Sequence, residues 1–414
     1  MKESGKKITS GLFLNTYATL FYFFCQWLLT VFLTRLSGFE AAGQYALALS
    51  FANVFSFIGM SGMRGLQLSD VQRNFSDGQF YALRVLSCAL ALVVFALALC
   101  VSGYNKTIVL CCISMMLFKT VDCIYDVANG SMQRSERFDR VALSATLRGL
   151  VPMGAFLLAI RLGVPLYMAI LLMAAAALLC LGSYDFRRLS EAGREENRFR
   201  LKGTLPLVKR CIPLMLSSML ESTLSYLPRD AVERALGSEM LGYYSTVSIV
   251  VVILSTMGTA AWASLTPPLS RLLYKREYRP LCRFIAVVLL VTLGVGALGL
   301  VFGNLLGPFF FRLIFGEEIL AHMYLLTPVL INALLMLLNS FFHCLFVPMG
   351  KRMTLLWTNG AAVICCLLIS APLVAARGLT GACVSLSLAL MLRLSLLTVS
   401  LLRYLQKMKR ENDA

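Results

Sequence analysis

About twelve stretches of this chain are each long and apolar enough to cross a bilayer, in windows of about 20 residues, and they leave little sequence for anything else. Lipid offers the backbone no hydrogen-bond partners, so a spanning segment must be a helix or part of a closed barrel. Continuous apolar runs, without the alternation of a barrel strand, select the helix. Windows fall near 11–34, 42–63, 82–103, 107–128, 141–162 and 164–186, then near 204–227, 240–264, 280–303, 320–346, 353–375 and 379–403. Only 14% of the 414 residues are charged, and the longest polar segment, 187–203, is too short for a soluble catalytic domain. The fold class is therefore all-α integral membrane.

The run after Lys2, Lys6 and Lys7 is too long for a signal peptide and reads as the first helix. Thirteen cysteines lie mostly inside apolar stretches without CxxC or Cys/His spacing, and His322 and His343 are the only histidines. Neither a metal site nor a catalytic set is expected.

Lys and Arg concentrate on the cytoplasmic side of membrane proteins. With the N-terminus inside, the inner segments hold 28 of the 38 basic residues, which places both termini in the cytoplasm. The formal charge of +17 is mostly this orientation signal, with some contact to anionic lipid. Cations spread over many membrane-edge segments do not form the single patch that nucleic acid requires.

The two halves repeat one another. Arg35, Gly38, Glu40, Gly43 and Tyr45 recur 199 residues later as Arg234, Gly237, Glu239, Gly242 and Tyr244. With six spans in each half, the repeats share orientation about an axis along the membrane normal. The expected architecture is two pseudo-symmetric six-helix lobes, 1–186 and 204–414, around a central cleft, with 187–203 as a cytoplasmic linker. Gly38 and Gly237 permit the outer turns, and each Glu sits where the next helix dipole favours an anion.

Charges inside the spans are the candidate functional residues, because such groups line wet cavities or pair with one another. Lys119, Asp122 and Asp126 share a helix face. Asp122 and Arg148 lie at nearly the same depth, about 12 Å in at 1.5 Å per residue, and are expected to pair. That group serves either as a neutral clip or as a cleft site with Asp122 as a coupling acid. Glu221, another coupling candidate, is expected near Arg229. Arg393 has no acid on its own helix and most needs an external partner, with Glu221 as the bland alternative. Arg64 stands at the cytoplasmic rim as an anchor or an entrance cation. Asn15, Gln26, Asn53, Asn332, Asn339 and Asn359 read mainly as helix–helix hydrogen bonds. Leu66 to Tyr81 reads as an interfacial amphipathic helix, and Pro267-Pro268 should break the helix there.

Several of these residues resemble a known family. Gln26, Trp27, Thr34 and Arg35, the Gly43 and Tyr45 start of span two, Gly62 and Arg64 before Ser69, Asp70 and Val71, then Gly237 to Tyr244 and Phe315 to Glu318 are similar to the bacterial polysaccharide-transport family. That family holds Wzx-type O-antigen and capsule repeat-unit flippases, in a superfamily with drug/cation antiporters and lipid II flippases. The resemblance implies twelve helices in two lobes that alternate between inward- and outward-open forms in the bacterial cytoplasmic membrane. The implied cargo is an undecaprenyl-pyrophosphate-linked oligosaccharide, moved from the cytoplasmic to the outer leaflet. Membrane lipids and polysaccharide assembly proteins are the implied partners. No cofactor is implied beyond coupling to H+ or Na+. The substrate-side cations are then Arg393, Arg148, Lys119, Arg64 and Arg229. The alternatives are a drug/cation antiporter, which would prefer buried acids, and a glycan polymerase or glycosyltransferase, which would need a larger outer loop.

Overall fold

The computed structural model describes residues 2–70, 72–186, 203–275 and 278–413. The described chain is a series of helices: α1 (Lys2–Met60), α2 (Met63–Ser69), α3 (Asp77–Ser102), α4 (Lys106–Arg134), α5 (Phe138–Arg161) and α6 (Leu166–Cys180), followed by α7 (Leu205–Leu236), α8 (Ser238–Val247), α9 (Ile249–Tyr274), α10 (Tyr278–Phe315), α11 (Leu326–Phe346), α12 (Arg352–Arg377) and α13 (Leu379–Asp413). Ten segments among the described residues are long and apolar enough to span a membrane. Counting α1 as two legs and adding α7 brings the set to twelve, so the protein is a multi-span helical membrane protein.

α1 covers the first two expected spans as two helical legs, since the backbone leaves the helical region at Gly38, where φ is 81° and ψ −179°. Gly237, the repeat counterpart, separates α7 from α8 with φ 85° and ψ 174°. This backbone region is open almost only to glycine. The repeat read from sequence is thus a shared backbone conformation, and the turn role of both glycines is observed directly.

The structure corrects the interfacial helix expected over Leu66 to Tyr81. α2 ends at Ser69 and α3 begins at Asp77. The Asp70 carboxylate stops the first helix by accepting the backbone N–H groups of Asn74 at 3.0 Å and Phe75 at 2.9 Å. Ser76 and Gln79 then cap each other reciprocally and start the next helix. The expected break at Pro267-Pro268 is also absent, because α9 runs through both residues. Contacts near the prolines hold it to α11: Trp262 Nε1 donates to Ser340 Oγ at 2.8 Å, and Thr266 Oγ1 lies 3.2 Å from Cys344 Sγ. Neighbouring helices can support a proline-containing turn in this way.

The chain divides into two compact units, Met1–Met219 and Leu220–Ala414. The division falls inside α7 rather than in the 187–203 segment, whose residues 187–202 lie outside the described residues. Leu207 and Cys211, early in α7, are buried with Met63, Phe80 and Val127 of the first unit. Leu224, later in α7, packs with Ala362, Cys366 and Leu390 of the second. Apolar burial, not chain polarity, decides where the first unit ends.

Within the second unit, α10 is held to α11 by close backbone approach. A β-carbon on Gly296, Gly303 or Gly307 would collide with Leu334, Leu330 or Leu326. Small residues permit this kind of packing, which replaces the hydrophobic drive that lipid does not supply. Leu290, Val301 and Leu305 leave the rest of α10 apolar and exposed, as a lipid-facing surface requires.

Candidate functional site

Polar groups buried among these helices gather into one centre in each unit. In the first, α4 supplies a row of charges on one face: Lys119, Asp122 and Asp126. Asp122 is 3% exposed and accepts Arg148 Nε at 3.1 Å, with Lys119 Nζ at 3.6 Å and the Tyr22 hydroxyl at 3.4 Å. The expected Asp122–Arg148 pair is present. The Arg148 guanidinium also lies 4.3 Å from the Tyr22 ring centroid and 4.0 Å from that of Tyr125. An arginine stacked on two aromatic rings gains about 0.5–2 kcal/mol per contact when desolvated. Its Nε and Nη2, the edge that fits a carboxylate side-on, both go to Asp122. Arg148 is therefore committed on its faces and on its fork.

One turn further along α4, Asp126 accepts Arg84 Nη2 at 2.8 Å and Arg64 Nη1 at 3.2 Å. Arg84, wholly buried, also donates to the Gly59 carbonyl at 2.9 Å. Arg64, expected at the rim as an anchor or an entrance cation, has a carboxylate partner, and its side chain is 34% exposed. Together the two turns hold Lys119, Arg148, Arg64 and Arg84 against Asp122 and Asp126. Asp185, buried and in the field of Arg148, is a third acid beside them, so four cations face three carboxylates, a surplus of one.

At the end of α4, Arg134 ties down the turn between α2 and α3. It reaches Asp70 and Asp77 at 3.2 Å each, and the Phe75 and Asp70 carbonyls at 3.1 Å each. Burial alone would raise the Asp70 pKa. The backbone N–H groups of Phe75 and Asn74, the Asn74 amide and the Arg134 guanidinium outweigh that and hold it below its ordinary value.

The second centre overturns the pairing read from sequence. Glu221 does not meet Arg229, which lies eight residues on along the same helix, about 12 Å away in rise. Its partner is Arg393 of α13, at 3.2 Å. Arg393 therefore has its acid inside the protein, and Arg229 is the cation left without one among the described residues. Arg229 donates to the Ser225 carbonyl of its own helix at 2.6 Å. His343 of α11 faces the Glu221–Arg393 pair. Glu221 stands near the middle of α7, not toward the end of its span, because α7 continues to Leu236.

The repeat places these centres at matching positions. Tyr22 and Glu221 are separated by the same 199 residues as the two glycines. Each touches an arginine of its own unit, Arg148 or Arg393. Two of the polar residues expected to bridge helices do so: Asn332 donates to the Cys383 carbonyl at 3.0 Å, and Asn339 to that of Leu390 at 3.2 Å. His322 stacks on Tyr243 with ring centroids 4.0 Å apart.

Arg84 and Asp185 are the charges missed in the sequence. Asp185, at the end of a π-turn after α6, accepts a hydrogen bond from Ser144. Arg84 had a usable signal: the Ser76 and Gln79 capping pair moves the helix start from 82 to 77 and carries Arg84 two turns inward.

The comparisons with known proteins follow this architecture. Among solved structures, the lipid II flippase MurJ in an inward closed conformation matches with a TM-score of 0.71 at 12% identity, over 96% of this chain and 90% of that one. An inward-facing multidrug resistance MATE family transporter of the MOP superfamily matches with a TM-score of 0.63 at 13% identity, over 96% and 95%. At these identities the likeness establishes the fold, which is that of transporters and flippases. The capsular polysaccharide biosynthesis protein CapF of Staphylococcus aureus is 23% identical over 372 residues, which are 88% of this chain and 92% of CapF. Residues 32–311 match the family described as "Polysaccharide biosynthesis protein", and with two thirds of its length inside that match, the chain belongs to the polysaccharide biosynthesis protein family.

Proposed function

We propose that the protein is a flippase that moves an undecaprenyl-pyrophosphate-linked oligosaccharide from the cytoplasmic to the outer leaflet by alternating access, for surface polysaccharide synthesis. The observation that carries this reading is the surplus of buried cations. Lys119, Arg148, Arg64 and Arg84 face three carboxylates, Asp122, Asp126 and Asp185, and uncompensated charge in the membrane is costly to keep without use. A hydrated diphosphate supplies the missing negative charge, while its prenyl tail stays in lipid. Lys119 and Arg64 are the cations offered to it in the first unit, since Arg148 is already enclosed by Asp122 and two rings. Arg393 and Arg229 serve in the second.

In this reading the protein sits in the bacterial inner membrane with both termini cytoplasmic, as the distribution of Lys and Arg suggests. Transport draws on H+ or Na+, with Glu221 and Asp122 as the acids to examine. Polysaccharide assembly proteins are its natural partners. An organic-cation antiporter is less well supported, because Asp122, Asp126 and Glu221 each already hold an arginine. The test is complementation of a strain lacking the corresponding flippase. At normal expression, the Lys119→Ala/Arg393→Ala double variant should lose surface polysaccharide and accumulate lipid-linked repeat units inside. Full export by that variant would refute the site assignment.

A further inference from the structure

Arg148 and Arg393, the arginines that Tyr22 and Glu221 touch, differ in one respect. The side-on fork of Arg148, Nε and Nη2, is filled by Asp122. Arg393 is 1% exposed and gives only Nη1 to Glu221, while its Nε and Nη2 have no protein partner. These two N–H groups point in parallel from one edge of the guanidinium and match a pair of oxygens on a carboxylate or phosphate. A buried donor left unpaired is costly, so an unpaired fork on a fully buried arginine is an expensive arrangement to maintain. Glu221, in contrast, is 44% exposed. A carboxylate so exposed at that depth requires water beside it.

We propose that Glu221 and the diphosphate of the cargo compete for Arg393, and that a proton on Glu221 hands the arginine to the cargo. This deepens the flippase reading and rests on it. With Glu221 ionised, its carboxylate holds Nη1 and its negative charge repels an approaching oxyanion. Taking a proton from water removes both effects, and the fork becomes the seat of two diphosphate oxygens. When Glu221 ionises again, it reclaims the guanidinium and expels the anion. Substrate release is thereby tied to proton loss at one residue. The groups facing Glu221 in its unit are Arg393 from α13 and His343 from α11, and α12 has no charged residue between Arg352 and Arg377. Arg229 and Asp230 follow on α7 itself, about 12 Å further along. His343 is the other titratable side chain facing the pair among the described residues, and it must be separated from Glu221 by experiment.

The experiment measures binding of farnesyl pyrophosphate and of inorganic pyrophosphate to the full chain in lipid nanodiscs. At about pH 7.5, Glu221→Gln should bind both probes about tenfold more tightly than wild type, with a weaker dependence on pH. Arg393→Lys keeps the charge but loses the fork and should bind about tenfold more weakly. His343→Gln should retain the wild-type pH dependence. Glu221→Ser replaces Glu221→Gln if thermal unfolding shows the latter to be misfolded. Wild-type affinity and pH dependence in the Glu221 variant, or transfer of the pH effect to His343→Gln, overturns the competition while leaving the flippase reading in place. A gain confined to the prenylated probe also overturns it, since Arg393 reads oxygens. No binding of either probe to wild type overturns the flippase reading and this inference together.

Discussion

Asp122 is surrounded by three donors, Arg148, Lys119 and Tyr22, and removing the principal one leaves a buried carboxylate undercompensated. Arg148→Ala should therefore destabilise the protein by about 3–5 kcal/mol, read as a large drop in the thermal unfolding midpoint in detergent. Asp122→Asn combined with Arg148→Gln should lose much less than the sum of the single changes. The pairing was legible because two antiparallel helices bring Asp122 and Arg148 to one depth, and depth follows from counting residues. Glu221 and Arg229 illustrate where counting fails: proximity along one helix is not contact when eight residues separate the groups. The true partner, Arg393, is 172 residues away; the sequence offers it as an alternative, and the packing of α7 against α13 decides between the two. Arg84 was hidden by a misplaced helix start, although the capping pair that corrects it was present in the sequence.

The bend in α1 and the α7–α8 junction depend on one backbone conformation each. A β-carbon on Gly38 or Gly237 would meet no atom within 4 Å, so alanine there costs only the strain of its positive φ. Each substitution should reduce stability by about 1–3 kcal/mol, measured by thermal unfolding, without disturbing packing elsewhere. The turn between α2 and α3 carries a pH dependence. Because the Asp70 pKa is depressed in the folded protein, its contribution is complete above the ordinary carboxylate range and disappears as pH falls below about 4. Hydrogen exchange at the Asn74 and Phe75 amides, which donate to Asp70, should accelerate on acidification in wild type beyond the intrinsic change. In Asp70→Asn it should already be fast at neutral pH. Most helix starts were legible from hydropathy to within a few residues, whereas α7, α9, α10 and α13 run well past the expected ends, to Leu236, Tyr274, Phe315 and Asp413. The continuity of α9 was not legible, because a pair of prolines signals a break in sequence even where a neighbouring helix supports an unbroken path.

For the whole molecule, the repeat and the twelve spans were readable because they follow from composition and a 199-residue offset. The end of the first unit within α7 was not, since it depends on which residues Leu207 and Cys211 bury against. The proposed orientation makes a topological prediction: single cysteines at Ser37 and Ser238 should label with an impermeant maleimide in intact cells, and one at Gly203 only after permeabilisation. The central claim is that buried cationic charge moves a diphosphate-linked glycan across the bilayer. It is tested most directly with purified protein in liposomes, by following how fast a fluorescent prenyl-pyrophosphate-linked oligosaccharide in the inner leaflet becomes accessible to an external glycosidase. The account predicts rapid exposure with wild type and loss of most of that rate with Lys119→Ala/Arg393→Ala. Exposure no faster than in protein-free liposomes, or an undiminished rate in the double variant, would contradict it.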